Sequence, residues 1–239
     1  MTAWAAKRFW TTAMVVPFAG GHTVHLDARP VRTPAKAPLV LPTAALAQAI
    51  ADEWQAQTGT VRPATMPCTR MANSAIDKVT PLHAAVVAEV AGYGASDLLC
   101  YRATGPVALV ARQAADWDHW VDWAAASLNA PLVVTTGVIP VPQPAASLAT
   151  LTARVAAMTP FGLVALHDLT AISGSLVLAL AVTSGRLTAH QAFDLSRIDE
   201  RWQAEEWGQD EEAAELQALK RQAMDEAGRF WALCGQAPA

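Results

Sequence analysis

The hydrophobic period changes once along this chain, near residue 63, and that change limits the possible folds more than any other feature. Before it, apolar residues come in short runs cut by proline and glycine. Residues 9–16 read as a strand ended by Pro17, and Phe18-Ala19-Gly20-Gly21 as a turn. Residues 23–27 read as a second strand, Ala28-Arg29-Pro30 as a turn, and Val31-Arg32-Thr33 as a return. Pro34, Pro38 and Pro42 confine residues 34–42 to edge-like pieces, because proline cannot donate to a ladder. Thr43 is suited to cap a helix over 44–57 that Gly59 closes. Leu46, Ile50 and Trp54 share one face of it, so Trp54 is expected to be buried against the strands. Residues 60–63 read as an extended piece rejoining the sheet. The expectation is a small α+β domain over residues 1–63.

After residue 63 the spacing is helical. Helices are predicted over 69–79, 81–93, 107–128, 145–158, 161–183, 188–207 and 210–234. Leu82, Val86, Val90 and Tyr93 line one face of the second. The third carries Trp117, Trp120 and Trp123 among Asp116, Asp118 and Asp122. The last holds a stripe of Leu216, Leu219, Ala223, Ala227 and Phe230. Residues 97–102 fit a strand or a helical turn, and the β-branched segment 132–139 reads as extended before the stiff Pro140, Pro142, Pro144 loop. The fold class is therefore α+β, with a strand-rich N-terminal part and a mainly α-helical domain over 64–239.

Hydrophobic residues make up 53% of the chain and charged residues 16%, enough for a core with apolar surface left for a partner. Residues 1–80 hold eight Lys/Arg against four Asp/Glu, and the remainder nine against seventeen. Neither part is basic enough for nucleic acid to be the main partner. Cys68, Cys100 and Cys234 are far apart with no Cys-x-x-Cys, which points to buried thiols rather than a disulfide framework or zinc site. The apolar run 169–182 is short of the roughly 20 residues a membrane span needs, so it reads as a buried core helix. No charged segment followed by an apolar core opens the chain, so no signal peptide is expected.

Charge is densest at Asp199-Glu-Arg-Trp-Gln-Ala-Glu-Glu-Trp-Gly-Gln-Asp-Glu-Glu212, where seven carboxylates face one cation, Arg201. Helical spacing sets Glu200, Gln203 and Trp207 along one stripe, and Gly208 reads as a break. An aromatic rimmed by charge is what an interface anchor looks like, while a solvated acidic face is the plainer reading. Catalytic motifs are missing. There is no Gly-x-Ser-x-Gly, Walker-type loop or Gly-x-Gly-x-x-Gly, and Gly20-Gly21 lies in a hairpin turn. His22 and His25 fall on opposite faces of a strand, which disfavours a metal pair. His167 and Asp168, being adjacent on a helix, are expected to diverge rather than pair. Glu200 with Asp199 or Glu205 is the one candidate acid/base pair, and a small-molecule enzyme built on these residues is the alternative reading.

Seven segments in register carry a family likeness. They are Lys7-Arg8-Phe9; Leu26-Asp-Ala-Arg-Pro-Val-Arg-Thr-Pro-Ala-Lys36 with Leu41-Pro-Thr43; Ala51-Asp-Glu-Trp54; Met66-Pro-Cys-Thr-Arg-Met-Ala-Asn73; Ala75-Ile-Asp77; Asp97-Leu-Leu-Cys-Tyr-Arg102; and Asp199-Glu200…Gln203…Trp207-Gly208. Together they resemble the ATP-twelve family, chaperones that assemble the catalytic F(1) sector of ATP synthase. The resemblance implies a small α+β region followed by an orthogonal helical bundle. It implies binding to the free alpha subunit before the beta subunit takes its place, with no enzymatic activity and no cofactor. It makes Glu200 the most telling position; the expected partner-binding set is Glu200, Asp199, Gln203, Trp207 and Glu205. A monomer without metal, nucleic acid or membrane insertion is expected. The eukaryotic members are mitochondrial; this chain looks like a bacterial, cytoplasmic one. On this reading Glu200→Lys leaves folding nearly intact and weakens capture of the alpha subunit.

Overall fold

A computed structural model describes residues 7–208 and 210–235. Its architecture is α+β and helix-rich: a small N-terminal antiparallel sheet is followed by a long run of helices. Two compact units can be drawn. One takes the chain up to His83 with Thr159–Ala165 and the stretch from Arg229. The other takes Ala84–Met158 and Leu166–Gly228.

In the first unit β1 (Ala13–Phe18), β2 (Gly21–Leu26) and β3 (Arg29–Pro30) form a meander in which Ala13 faces Leu26 and Phe18 faces Gly21. Ala19 and Gly20, both at positive φ, make the two-residue turn whose twist suits a hairpin. Pro17 is tolerated inside β1 because that strand is an edge. Gly21 is required by a close approach: a Cβ there would lie 2.5 Å from the Leu41 carbonyl oxygen. The same approach lets His22 and Leu41 exchange backbone hydrogen bonds of 2.9 and 2.7 Å. Thr43 caps α1 (Ala44–Gln55) by accepting from the Leu46 amide at 3.0 Å. Leu46 and Ile50 of α1 are fully buried, as are Val24, Leu39 and Leu41.

The predicted placement of Trp54 needs correction. Trp54 is half-buried, and its ring meets Trp10 edge-on at 5.2 Å. Trp10, at 4% exposure, is the buried member. Arg8 fixes this corner by donating to the carbonyls of Trp10, Thr11, Gln55 and Gln57. Of residues 60–63, Thr60 forms an isolated bridge with Lys7 rather than a strand of the sheet. Glu53 reaches from α1 to the start of α2 (Pro67–Ser74), accepting from the Cys68 and Thr69 amides at 2.7 and 2.8 Å. A carboxylate at a helix N-terminus satisfies amides that have no partner within the helix. From Ala75 to Val79 the helix loosens into a π turn.

In the second unit α3 (His83–Gly92) buries Val87, Val90 and Ala91. Of the predicted face Val90 is buried, Val86 and Tyr93 are half-buried and Leu82 is exposed. A short helical turn at Leu98–Cys100 leads into β4 (Tyr101–Arg102). α4 (Val107–Leu128) follows, with Trp117 buried and donating to the Leu195 carbonyl at 2.8 Å. The segment 132–139 is not the strand its β-branched residues suggested. Only β5 (Thr135–Thr136) pairs, parallel to β4, and the rest is loop. α5 (Ala145–Ala156) comes next.

Two helices predicted as continuous are broken. The first splits at Gly174, which takes a φ of +74°, into α6 (Pro160–Ser173) and α7 (Leu176–Thr183). The second splits at Ser196 and Arg197 into α8 (Ala189–Leu195) and α9 (Ile198–Trp207). All eight residues of α7 are buried. Its amino end is held by Ser175, which accepts from Leu178, and by the fully buried Asp97. The Asp97 carboxylate accepts from the Ser175 hydroxyl at 2.7 Å, the Val177 amide at 3.0 Å and the Leu99 amide at 3.1 Å. Burial pushes its carboxyl above the usual range against these hydrogen bonds. The last helix is α10 (Glu211–Leu233). Its predicted stripe is only partly a core stripe: Ala227 and Phe230 are buried, but Leu216 and Leu219 are exposed.

Candidate protein-binding surface

All five residues singled out from the sequence, Asp199, Glu200, Gln203, Glu205 and Trp207, lie on α9. This helix is short and charged, and Ile198 is its only buried residue. It ends where Gly208 takes a φ of +90°, a conformation that L side chains rarely adopt. A helix with one buried residue contributes little to a core, so most of its side chains are available to solvent or a partner.

The charge balance differs from the one read along the chain. Arg201 is not the only neighbouring cation. Arg197, whose side chain is 14% exposed, pairs with Glu200 at 2.7 Å and lies over the Phe193 ring. Its other terminal nitrogen reaches the Ile172 carbonyl. Arg112 of α4 pairs with Glu205 at 2.8 Å and covers the Trp202 ring at 5.0 Å. Asp199 accepts from Gln113 Nε2 at 2.6 Å, and Gln113 is itself buried and accepts from the Ala103 amide. Three of the carboxylates thus hold α9 in place. Arg197 was readable three residues before Glu200, the spacing at which helical charges meet; Arg112 and Gln113 are about 90 residues away in sequence and were not.

Two open grooves flank α9. One, about 530 Å³, is lined by Glu200, Gln203, Glu205, Trp207, Asp210 and Gln217 among others. The second, about 610 Å³, is lined by Leu98, Ile172, Arg197, Asp199, Glu200, Gln203 and Lys220 among others. Glu200 and Gln203 line both and so stand on the ridge between them. Trp207 is 79% exposed, an unusual position for so large an apolar surface. Trp117, a tryptophan of α4, is buried in the core and lines neither groove.

Elsewhere, His167 and Asp168 do pair, contrary to expectation. Nδ1 lies 2.9 Å from the Asp168 carboxylate, and Glu89 stands 3.7 Å from Nε2. Side chains about 100° apart on a helix still meet when both bend toward each other. The Asp168 hydrogen bond, with help from both carboxylate charges, holds the imidazole above its ordinary pKa. The described residues contain no group of three or more His, Cys, Asp or Glu arranged to hold a metal. No described helix is long and apolar enough to cross a membrane.

Comparison with known proteins gives the class first. Residues 7–125 match the family described as ATP12 chaperone protein, so the class is a chaperone. The crystal structure of Atp12 from Paracoccus denitrificans is 55% identical, with 96% of this chain and 98% of that chain covered and a TM-score of 0.94. An Asp-to-Lys mutant of P. denitrificans Atp12p matches with 54% identity, the same coverages and a TM-score of 0.94. The Atu1473 protein of Agrobacterium tumefaciens is 43% identical over 95% of this chain and 85% of that chain, with a TM-score of 0.91. The chain belongs to the ATP12 chaperone family.

Proposed function

We propose that this chaperone binds the free alpha subunit of the ATP synthase F(1) sector through α9 and keeps it from aggregating until the beta subunit arrives. It acts as a monomer in the bacterial cytoplasm, without turnover or cofactor. The observation that carries the reading is the ridge formed by Glu200 and Gln203 between two open grooves, with Trp207 79% exposed at its end. An alpha subunit alone exposes the apolar face meant for beta, which is an aggregation hazard. A binder must cover that face and later release it. An exposed aromatic bordered by charge suits this task, because rim charges set rate and specificity more than raw affinity.

Open grooves flanked by alanines and paired carboxylates give the enzymatic alternative little to work with, since Glu200 and Glu205 are both engaged by arginine. The deciding experiment is suppression of light scattering by isolated alpha subunit, using the wild type and Trp207→Ala. Because Trp207 is exposed, the variant should fold normally, within about 0.5 kcal/mol. It should protect alpha at least ~10-fold less well, as expected for an aromatic anchor worth about 2 kcal/mol or more. Equal protection by both proteins would remove α9 from the contact.

A further inference from the structure

Thirty-one consecutive residues, 123–153, carry no Asp, Glu, Lys, Arg or His, in a chain with 17 Lys/Arg and 21 Asp/Glu. Part of this run is not core. Val138 is 90% exposed, Ile139 76%, and Val133 and Val134 about two-fifths. The loop that holds them is fixed at several points. Gln143 donates to the Val133 carbonyl at 2.9 Å and accepts from the Val133 amide at 2.8 Å, so its side chain pairs with the backbone as a strand would. Ser147 donates to the Pro131 carbonyl at 2.6 Å. The Gly137 amide donates to the Arg102 carbonyl at 2.8 Å, next to the β4–β5 pair. Three prolines, Pro140, Pro142 and Pro144, stiffen the return. An apolar tip held this firmly loses little conformational entropy on binding.

α4, which begins close to this loop, also packs against α9. A side chain at Gly137 would meet Thr104 at 3.8 Å, and three residues beyond Thr104 comes Val107, 85% exposed at the start of α4. Arg112 lies five residues, or about 7.5 Å of helix, further on, and there α4 meets the acidic helix through Glu205. One helix, α4, thus starts beside the uncharged apolar tip and meets acidic α9 less than two turns later.

We propose that the loop 131–144, with the first turn of α4, is the apolar half of the client-binding surface whose acidic half is α9. The proposal rests on α9 being the site that contacts the alpha subunit. The occupant is a protein face with an uncharged apolar centre bordered by Lys or Arg on the side that meets α9. Charge complementarity selects it: the loop carries no charged side chain, while α9 adds exposed Glu206 beside the three carboxylates already engaged. Two other occupants fit less well. The five exposed side chains amount to roughly 200–400 Å² of apolar surface, at about 60–120 Å² for each fully exposed Val or Ile. That is below the ~800 Å² per partner of a stable interface, so the loop alone does not make a dimer. Anionic lipid finds no cation in the run and meets a chain of net charge -4.

The test is the double variant Val138→Ser/Ile139→Ser, compared with the wild type for suppression of aggregation of isolated F(1) alpha subunit. Thermal unfolding should be unchanged, because both side chains are exposed. Protection of alpha should fall by at least ~10-fold. Equal protection by the wild type and the double variant would overturn the loop proposal and leave the α9 reading standing. A wild type that does not protect alpha at all would overturn both. Light scattering after size exclusion, and sedimentation with phosphatidylglycerol vesicles, complete the experiment. A dimer or a vesicle-bound fraction present in the wild type and lost in the variant would overturn it in favour of self-association or a lipid surface.

Discussion

Glu200→Lys separates what this residue does for folding from what it does for binding. In the folded chain Glu200 is the carboxylate that answers Arg197, at 2.7 Å, with side-chain exposures of 42% and 14%. An exposed pair contributes about 0–1 kcal/mol. Removing one partner of a fully buried pair costs about 3–5 kcal/mol, because the remaining charge is left uncompensated. This pair lies between those limits, and lysine adds a second cation beside Arg197. The expected loss is about 1–3 kcal/mol. For a chain of this size that lowers Tm by roughly 2–12 °C, at about 2–4 °C per kcal/mol. This is more than the near-intact folding expected from the sequence, which took Arg201 as the only cation at hand. Glu200→Gln, which still offers Arg197 an acceptor, should cost less, about 1 kcal/mol or under. Thermal unfolding measures the first effect. Suppression of alpha-subunit aggregation, well below either Tm and normalised to folded protein, measures the second. Capture by Glu200→Lys should fall by several-fold or more, since like charges brought together at an interface cost several kcal/mol. A melt identical to wild type would refute the Arg197–Glu200 pairing in solution. Unchanged capture per folded molecule would refute the role of Glu200 in recognition.

Further expectations concern the interior. Trp10→Ala should cost about 3–5 kcal/mol and Trp54→Ala about 1–3 kcal/mol, because Trp10 is buried and Trp54 only half-buried; chemical denaturation of both variants checks the order. The carboxyl of Asp97 is raised by burial, so its ionisation works against folding above the raised pKa, and that opposition is relieved as pH falls through it. Wild type should therefore gain stability relative to Asp97→Asn as pH drops from neutral toward the carboxylate range. A difference between the two that stays flat with pH, in urea titrations at several pH values, would contradict this.

Much of the fold was legible because it is written in local period. Proline-cut alternation before residue 63 marks a strand-rich meander, although β1 runs through Pro17, read as its end, and β3 takes Arg29–Pro30, read as a turn; Thr43 with Leu46 and Ile50 marks α1 closely. α4 was read to the residue, since its tryptophans recur at helical spacing and Asn129, in the left-handed region, ends it. Where the sequence misled, a continuous apolar run hid a break. Residues 161–183 look like one helix because both sides of Gly174 are buried and apolar, and period alone does not reveal a positive φ. The β-branched segment 132–139 looked like a strand, yet only Thr135 and Thr136 find a partner; strand propensity records a preference that pairing must complete. The stripe on α10 was seen correctly as a pattern, but a pattern does not say whether anything covers Leu216 and Leu219.

The candidate site divides the same way. The sequence by itself placed Asp199, Glu200, Gln203, Glu205 and Trp207 on one helix and marked Gly208 as its end, because helix geometry and capping depend on residues within a few positions. Only the tertiary structure decided which carboxylates are already engaged. Arg112 and Gln113 reach Glu205 and Asp199 across about 90 residues of chain, and ion pairs form by proximity in space. It also decided that Trp207, Val107, Val138 and Ile139 are left outside as exposed surface. A side chain's apolarity is fixed by its chemistry. Whether it is buried is fixed by what packs over it, and that depends on every other segment of the chain.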